Sequence, residues 1–82
     1  MKDMYKIYVS TRKNKKYDVY LNDKYLLSFG DKRYQHYYDK FLFYSHLNHL
    51  NEYRRKLYRE RHKNDYINNP NKPGFWAYNY LW

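Results

Sequence analysis

The sequence contains no cysteine, and it is poor in the small residues that usually fill a protein core. Without cysteine, disulfide bonds, zinc sites with thiolate ligands and thiol nucleophiles are all excluded. Only one Ala and two Val occur among the 82 residues. We therefore expect a core built largely from Tyr, Phe, Leu and Trp, in a chain that buries only about 60–65 % of its unfolded surface.

Long apolar runs are also missing. No segment approaches the length of a membrane span, and the start of the chain, Met1 to Lys6, lacks the apolar stretch of a signal peptide. There is no glycine-rich phosphate loop, no Gly-x-Ser-x-Gly turn and no close pair of acids in a suitable context. We therefore expect one small basic domain over residues 1–82 that lies inside a cell, has no enzymatic activity and holds no cofactor.

The sequence is rich in positive charge and in tyrosine. Lys and Arg number 17 against 8 Asp and Glu, which gives a formal net charge of +9, and 14 residues are Tyr. Such an excess attracts polyanions such as nucleic acid, acidic protein surfaces or anionic lipid heads. Most of the tyrosines are expected in the core, because the ring can be buried while the hydroxyl reaches water.

The first third of the chain alternates between apolar and polar residues, which is typical of half-buried strands. One alternating segment runs from Met4 to Val9, and a second runs from Tyr17 to Leu21. Asn22-Asp23 is a two-residue turn signal before a third strand. The apolar face of this third strand is formed by Tyr25, Leu27 and Phe29. The pattern predicts a three-stranded antiparallel meander.

After the third strand the apolar period changes to that of a helix. Tyr34, Tyr37, Tyr38 and Phe41 fall at i, i+3, i+4 and i+7, and Asp31 is placed to cap them. We expect a first amphipathic helix here. A second helix is predicted to follow, and the complete arrangement is an α+β fold with an aromatic C-terminal tail that packs back on the domain.

The second predicted helix begins at Asn51, a favoured N-cap, and Glu52 behind it suits the positive end of the helix dipole. It runs to about Lys63 and ends within residues 63–65. Its faces differ in character: Tyr53 and Leu57 share one face, and Arg55, Arg59 and His62 share another.

The C-terminal end combines a loop with an aromatic tail. Residues 68–74 are a loop by composition, and residues 75–82 are too aromatic to remain in water. We expect this tail to clamp the sheet or the helices. If it is exposed instead, Phe75, Trp76 and Trp82 mark a partner-binding site.

Several segments together resemble an uncharacterised family of short domains encoded by large double-stranded DNA viruses of eukaryotes. The resemblance covers about residues 25–82. It rests on Phe29-Gly30, the run from Tyr34 to Lys40, Tyr44-Ser45-His46-Leu47-Asn48-His49, Arg54-Arg55-Lys56, Tyr58, Arg61-His62, Phe75-Trp76 and Tyr80-Leu81-Trp82. The resemblance implies a viral setting, in the cytoplasm, nucleus or viral factory of a host cell and in the virion. It implies no mechanism.

The histidines do not predict a metal site. His46 and His49 are spaced as His-x-x-His, with His36 and His62 elsewhere. Zinc needs about four ligands, and without cysteine the others must come from distant side chains. We expect these imidazoles to hydrogen-bond loop carbonyls or tyrosine hydroxyls instead.

The cations cluster in two segments and give the candidate nucleic-acid-binding residues. The clusters are Arg12, Lys13, Lys15 and Lys16 between the first two strands, and Arg54, Arg55, Lys56, Arg59 and Lys63 on the second helix. Arginine suits bidentate contacts with phosphate, although a solvated face is the alternative explanation. No helix-turn-helix, zinc-finger or RNP signature is present, so base-specific recognition is not predicted.

Two functions follow as hypotheses. The first is binding of nucleic acid, DNA before RNA, through phosphate contacts without sequence specificity. The second is a virion-structural, minor capsid or assembly role in which the basic face docks on an acidic viral protein and the aromatic tail or a sheet edge anchors it.

Overall fold

The structure, a computed structural model, describes residues 3–64 and 67–82. Three antiparallel strands lie in the order β1-β2-β3: β1 is Tyr5–Val9, β2 is Lys15–Leu21 and β3 is Lys24–Asp31. A short 3-10 turn, Ser45–Leu47, precedes helix α1, Glu52–His62, and helix α2, Pro73–Tyr80. The predicted α+β fold, a three-stranded meander followed by two helices, is confirmed.

The β2–β3 hairpin turns at the predicted dipeptide and contains a bulge. Asn22 and Asp23 have φ of 50° and 69°, values that Asn and Asp tolerate better than most residues. The register shifts between Val19 and Tyr20, so that Tyr25 pairs with Tyr20. The predicted common face of the third strand is therefore wrong for Tyr25, which is exposed beside Tyr20 on the outer face of the sheet.

The first predicted helix is absent. Residues 34–44 form turns and bends, and their backbone groups bond to distant parts of the chain. The amide groups of Tyr37 and Tyr38 both donate to the carbonyl oxygen of Leu81, at 3.0 and 3.1 Å. The amide of His36 donates to Leu47 at 3.2 Å. The helical spacing of tyrosines was misleading because these non-local bonds replace the bonds of a helix.

The second predicted helix is confirmed as α1. The Asn51 side chain accepts from the amides of Tyr53 and Arg54, each at 3.0 Å, and Glu52 occupies the first turn. The helix ends at His62 with Lys63 as its C-cap. The predicted end reached Asp65, which lies outside the described residues.

The aromatic tail is itself a helix. Pro73 occupies the first turn of α2, where its missing N–H and fixed φ are favourable. The predicted loop over residues 68–74 therefore ends at Lys72, and residues 75–80 are helical. The prediction that this tail packs back on the domain is confirmed, because it contributes two of the core residues.

The core lies between the inner face of the sheet, the 34–50 segment and α2. Its buried apolar residues are Tyr17, Val19, Leu27, Phe29, Tyr44, Trp76 and Leu81. The Tyr17 ring lies 5.5 Å from Phe29, 5.0 Å from Phe41 and 5.4 Å from Tyr44, between ring centroids. Such tilted and edge-on pairs add to the burial of the rings, which is how a core with few small aliphatic residues is filled.

Candidate nucleic-acid interface

Three of the four cations that were predicted between the first two strands are exposed to solvent. Arg12, Lys13 and Lys15 are exposed. The Arg12 guanidinium lies 3.9 Å from the centre of the Tyr25 ring and 3.7 Å from the Asp18 carboxylate. This cation is therefore held on the outer face of the sheet.

The prediction that Lys16 belongs to the nucleic-acid interface is wrong, because the residue is buried and only 2 % exposed. Strand β2 begins at Lys15, so Lys16 lies on the strand and not in the loop. Its Nζ donates to the carbonyl oxygen of Tyr34 at 2.9 Å and to Nδ1 of His36 at 2.8 Å. A group with these internal partners does not serve as a surface phosphate contact.

Helix α1 packs with its basic face toward the protein. The Nε groups of Arg55 and Arg59 donate to the carbonyl oxygen of Trp82, at 2.8 and 3.2 Å. Their guanidinium groups also lie over the rings of Tyr37 and Tyr78, at 4.8 and 4.4 Å from the centroids. Two of the arginines predicted to bind nucleic acid thus attach the helix to the domain.

The opposite face of α1 is directed to solvent and carries the apolar pair. Tyr53 is 69 % exposed and Leu57 is 41 % exposed, and no residue of the helix is buried. The remaining predicted cations of this helix, Arg54, Lys56 and Lys63, are exposed. These three are exposed, whereas the other two candidate cations of the helix, Arg55 and Arg59, are half-buried.

A cleft of about 430 Å³ separates the start of β2 from helix α1. Lys15, Asp31, Tyr34 and Gln35 line it on the sheet side, and Tyr58 and Trp82 line it on the helix side. The Asp31 carboxylate accepts two hydrogen bonds from Arg33, at 2.7 and 3.0 Å, and its charge is neutralised by this pair. The cleft lining is therefore positive overall, because Lys15 remains.

Arg54 extends positive charge to this cleft from α1. Its Nη1 donates to Oε1 of Gln35 at 2.9 Å. Arg33 lowers the pKa of Asp31 to about 2, first through its side-chain hydrogen bonds, so this carboxylate stays ionised and paired. Lys15 thus lines the cleft, and Arg54 contacts Gln35 of the lining without lining the cleft itself, while Lys56 and Lys63 are not among the lining residues.

The three aromatic residues predicted to bind a partner have different positions. Trp76 is in the core, with its indole N–H donating to the carbonyl oxygen of Pro70 at 2.9 Å, and is not available to a partner. Phe75 and Trp82 are half-buried. The Trp82 ring is stacked on Tyr58, with 4.2 Å between centroids and 6° between planes.

A buried polar network lies behind the cleft. From Lys16 it passes to His36, whose Nε2 donates to Oδ1 of Asn48 at 2.7 Å. The amide of Asp39 donates to the same Oδ1 at 2.8 Å, and the Asp39 carboxylate accepts the hydroxyl of Tyr17. Because an ammonium only donates, Nδ1 of His36 must be unprotonated and the ring neutral.

The pKa shifts of this network agree with its hydrogen bonds. Burial, together with the charge of Lys16, lowers the pKa of His36 to about 4. Burial lowers the pKa of Lys16 to about 8, against the attraction of Asp39 and Asp31. Burial and the bond to Asp39 raise the pKa of Tyr17 far above its ordinary value, so its hydroxyl remains a donor.

The His-x-x-His pair is not arranged around a common point. His46 is exposed, and Nδ1 of His49 accepts the amide of Asn51 at 2.9 Å. Within residues 3–64 and 67–82, no three His, Asp or Glu side chains are grouped as metal ligands. In the same part of the chain, no helix has the length and apolarity needed to cross a membrane.

Sequence reasoning missed His36, Asp39 and Asn48 as organising residues. The available signal was a histidine and an acid three residues apart within an aromatic segment that was predicted to be a helix. The cleft was also missed, because Tyr34, Tyr58 and Trp82 come from three separate segments.

The fold and the site together define a small basic α+β protein with an aromatic cleft edged by cations. Residues 5–41 are similar to a family of unknown function (DUF5754). No curated protein and no solved structure matches the chain. The match covers the three strands and overlaps the segments of the predicted resemblance at residues 25–41, which supports relation to an uncharacterised family of short domains.

Proposed function

We propose that this protein binds nucleic acid through phosphate contacts, without sequence specificity and without enzymatic activity. The observation that carries the proposal is an aromatic cleft that Lys15 lines and that Arg54 borders through its contact with Gln35 of the lining. Exposed Lys13 continues the positive surface on the β1–β2 connection. The carboxylate that lines the cleft does not oppose this, because Arg33 already pairs with it.

Phosphate contacts by exposed Lys and Arg dominate binding of this kind and make it depend steeply on salt. DNA is the first partner to test, and RNA the second. The formal net charge of +9 also favours fast association with any polyanion. The residues that support the proposal are now fewer than the sequence indicated: Arg12, Lys13, Lys15, Arg54, Lys56 and Lys63 are exposed, whereas Lys16, Arg55 and Arg59 have structural contacts.

The test is fluorescence polarisation with labelled duplex and single-stranded DNA, in NaCl from about 50 to 200 mM. We expect tight binding at the low end and a steep linear fall of log K with log salt. The double variant Lys15→Gln/Arg54→Gln should lower the magnitude of the salt slope by about one for each phosphate contact that is removed.

A matched control removes the same charge at the other end of the hairpin. Lys6 and Lys24 are both exposed, and Lys24 is separated from Lys15 by the length of β2, about 20 Å at the usual rise per residue. Lys6→Gln/Lys24→Gln should retain most of the slope. Equal effects of the two variants would contradict an interface at the cleft, and no binding at low salt would contradict the function.

We extend this proposal to the setting implied by the sequence resemblance, a virus of eukaryotes. The protein would then act in the cytoplasm, the nucleus or a viral factory of the host cell, with nucleic acid as its partner.

The outer face of α1 favours a second candidate function, docking on an acidic protein during virion assembly. Tyr53 and Leu57 form an exposed apolar pair between the cations Lys56 and Arg54. This composition suits an apolar anchor with a basic rim that meets acidic side chains of the partner. Near-stoichiometric recovery of the protein from purified particles supports this role, and its absence from them contradicts it.

A further inference from the structure

The cleft between β2 and α1 differs in charge and in surface chemistry from two other grooves of the protein. A groove of about 410 Å³ beside Tyr8 and Tyr20 is lined by two carboxylates, Asp18 and Asp23. A third groove, of about 340 Å³, has the apolar lining of the core and no charged residue. A groove of about 350 Å³ at the β2–β3 turn also has a cation and a ring, Lys24 and Tyr25, but the Arg12 guanidinium already lies over that ring, 3.9 Å from its centre. The cleft with Lys15 is lined by several aromatic rings as well as by cations.

The floor of the cleft with Lys15 is apolar, and it lies close to strand β3 because Gly30 has no side chain. Gly30 has φ of +75°, and an added Cβ would lie 2.9 Å from Cδ of Lys16 and 3.0 Å from Cδ1 of Leu81. Leu81 therefore approaches the backbone of β3 closely and, with Phe29, forms the base of the cleft. A volume of about 430 Å³ is within the range of small-molecule sites, roughly 300–1,000 Å³.

Tyr34 offers an aromatic ring at the edge of this floor. The residue is 64 % exposed, although its backbone is fixed at both ends. Its amide donates to Asp31 at 3.1 Å, and its carbonyl oxygen accepts from Lys16 at 2.9 Å. A fixed backbone limits the positions that the ring can reach, which lowers part of the entropic cost of binding a flat ligand.

The other rings of the cleft have their stacking surfaces occupied. Tyr58 lies between Trp82 and His62, with 4.2 Å between centroids on each side. These rings form one wall of the cleft. Tyr34 is the most exposed ring of the lining, and the Arg33 guanidinium lies 5.7 Å from its centroid. One guanidinium covers at most one face of the ring, which leaves the other for stacking. Lys15 lines the cleft, and Arg54 contacts Gln35 of the lining, so the phosphates of a bound strand would meet these two cations.

We propose that this cleft holds one unpaired nucleobase of single-stranded nucleic acid, stacked on Tyr34, with neighbouring phosphates at Lys15 and Arg54. This inference rests on the proposed function and adds a preference for unpaired strands. A base in a duplex is stacked and paired, so its faces do not reach the cleft without being turned out. Both DNA and RNA supply the required ring, and a stacking contact tolerates any base.

The experiment compares three labelled ligands of equal length at one salt concentration: single-stranded DNA, the same strand with abasic sites, and the duplex. The abasic strand keeps every phosphate and lacks the rings. We expect wild-type protein to bind the base-bearing strand roughly tenfold more tightly than the abasic strand. Single-stranded RNA of the same sequence should compete for the site.

Two matched variants locate the effect. Tyr34→Leu should remove the preference for bases and keep the binding to the abasic strand, whereas Tyr53→Leu, at a residue that is 69 % exposed on α1, should change neither. Equal unfolding midpoints of the two variants show that folding is intact.

Equal affinity of wild-type protein for base-bearing and abasic strands overturns the inference and leaves phosphate binding standing. So does a Tyr34→Leu variant with an unchanged preference. Failure to bind any of the ligands at low salt overturns both the inference and the proposed function.

Discussion

The buried ammonium of Lys16 donates hydrogen bonds to two neutral acceptors, the carbonyl oxygen of Tyr34 and Nδ1 of His36. Burial disfavours the ammonium and lowers its pKa to about 8, so it remains mostly protonated at neutral pH. Because the unfolded chain binds this proton more tightly, the residue opposes folding below its folded pKa, and this cost disappears as pH rises toward 10.5. The ammonium compensates by joining β2 to the 34–50 segment.

His36 has the opposite requirement, since only its neutral form accepts from Lys16. Protonation would place an N–H against the ammonium and remove an acceptor from a buried donor. The pKa of His36 is lowered from 6.5 to about 4. A group whose folded pKa is depressed binds protons better in the unfolded chain. Its contribution to stability is therefore complete above about pH 6.5 and is lost as pH falls toward 4.

We predict that His36→Asn weakens the dependence of stability on pH between about 6.5 and 4. The wild-type free energy of unfolding should fall by on the order of 2–3 kcal/mol over this window from His36 alone. The variant should be less stable at neutral pH and lose less on acidification. Urea denaturation at several pH values measures both, and His46→Asn, at an exposed position, is the control. Parallel pH profiles for wild type and His36→Asn would contradict the assignment.

Helix α1 shows how an element can be located from sequence while its orientation is not. Its N-cap Asn51 and its acidic first turn are local signals, and the helix lies where they predict. The direction of its faces depends on Trp82, Tyr37 and Tyr78, which are distant in sequence and supply the carbonyl oxygen and the rings that the arginines contact. An apolar stripe normally faces the core, and here aromatic partners for Arg55 and Arg59 outweigh a stripe of only two residues.

The helix predicted from the stripe Tyr34 to Phe41 is absent for a related reason. The tyrosine spacing was compatible with a helix, but the carboxylate of Asp39 accepts the amides of Phe41 and Tyr44, each at 2.8 Å. These bonds curl the chain around a buried acid, and Leu42 takes a φ of +69° in the turn. No local pattern reports whether His36 and Asp39 are exposed on a helix or buried in a loop. The three strands, in contrast, follow directly from alternation and an Asn-Asp turn.

The orientation of α1 leads to a prediction about stability. Replacement of Tyr53 and Leu57 by Gln should change the free energy of unfolding by less than about 0.5 kcal/mol, because both side chains are exposed. Tyr58→Gln should cost roughly 1–3 kcal/mol, because it removes the stack with Trp82. Chemical denaturation measures the differences. A larger loss for the Tyr53/Leu57 pair than for Tyr58 would show that the apolar face is the inner one.

Across the whole molecule, positive charge exceeds what the acidic residues can neutralise. In each described ion pair, at least one of the two side chains is partly exposed. Pairs of this kind stabilise the folded state by only about 0–1 kcal/mol. The remaining cations repel one another within a molecule whose principal extents are 39 × 26 × 19 Å. The tightly packed aromatic core holds the fold together against this repulsion.

Screening of that repulsion gives a prediction for the protein as a unit. At 0.01 M salt the Debye length is about 30 Å, which is comparable with the molecule itself, and at 0.15 M it is about 8 Å. Salt also weakens the surface ion pairs, but an excess of nine positive charges makes repulsion the larger effect. We therefore expect the thermal unfolding midpoint to rise between these salt concentrations. Lys13→Gln/Lys24→Gln/Lys56→Gln, with three exposed cations removed, should show a smaller rise, and a midpoint that falls with salt in wild-type protein would mean that the ion pairs outweigh the repulsion.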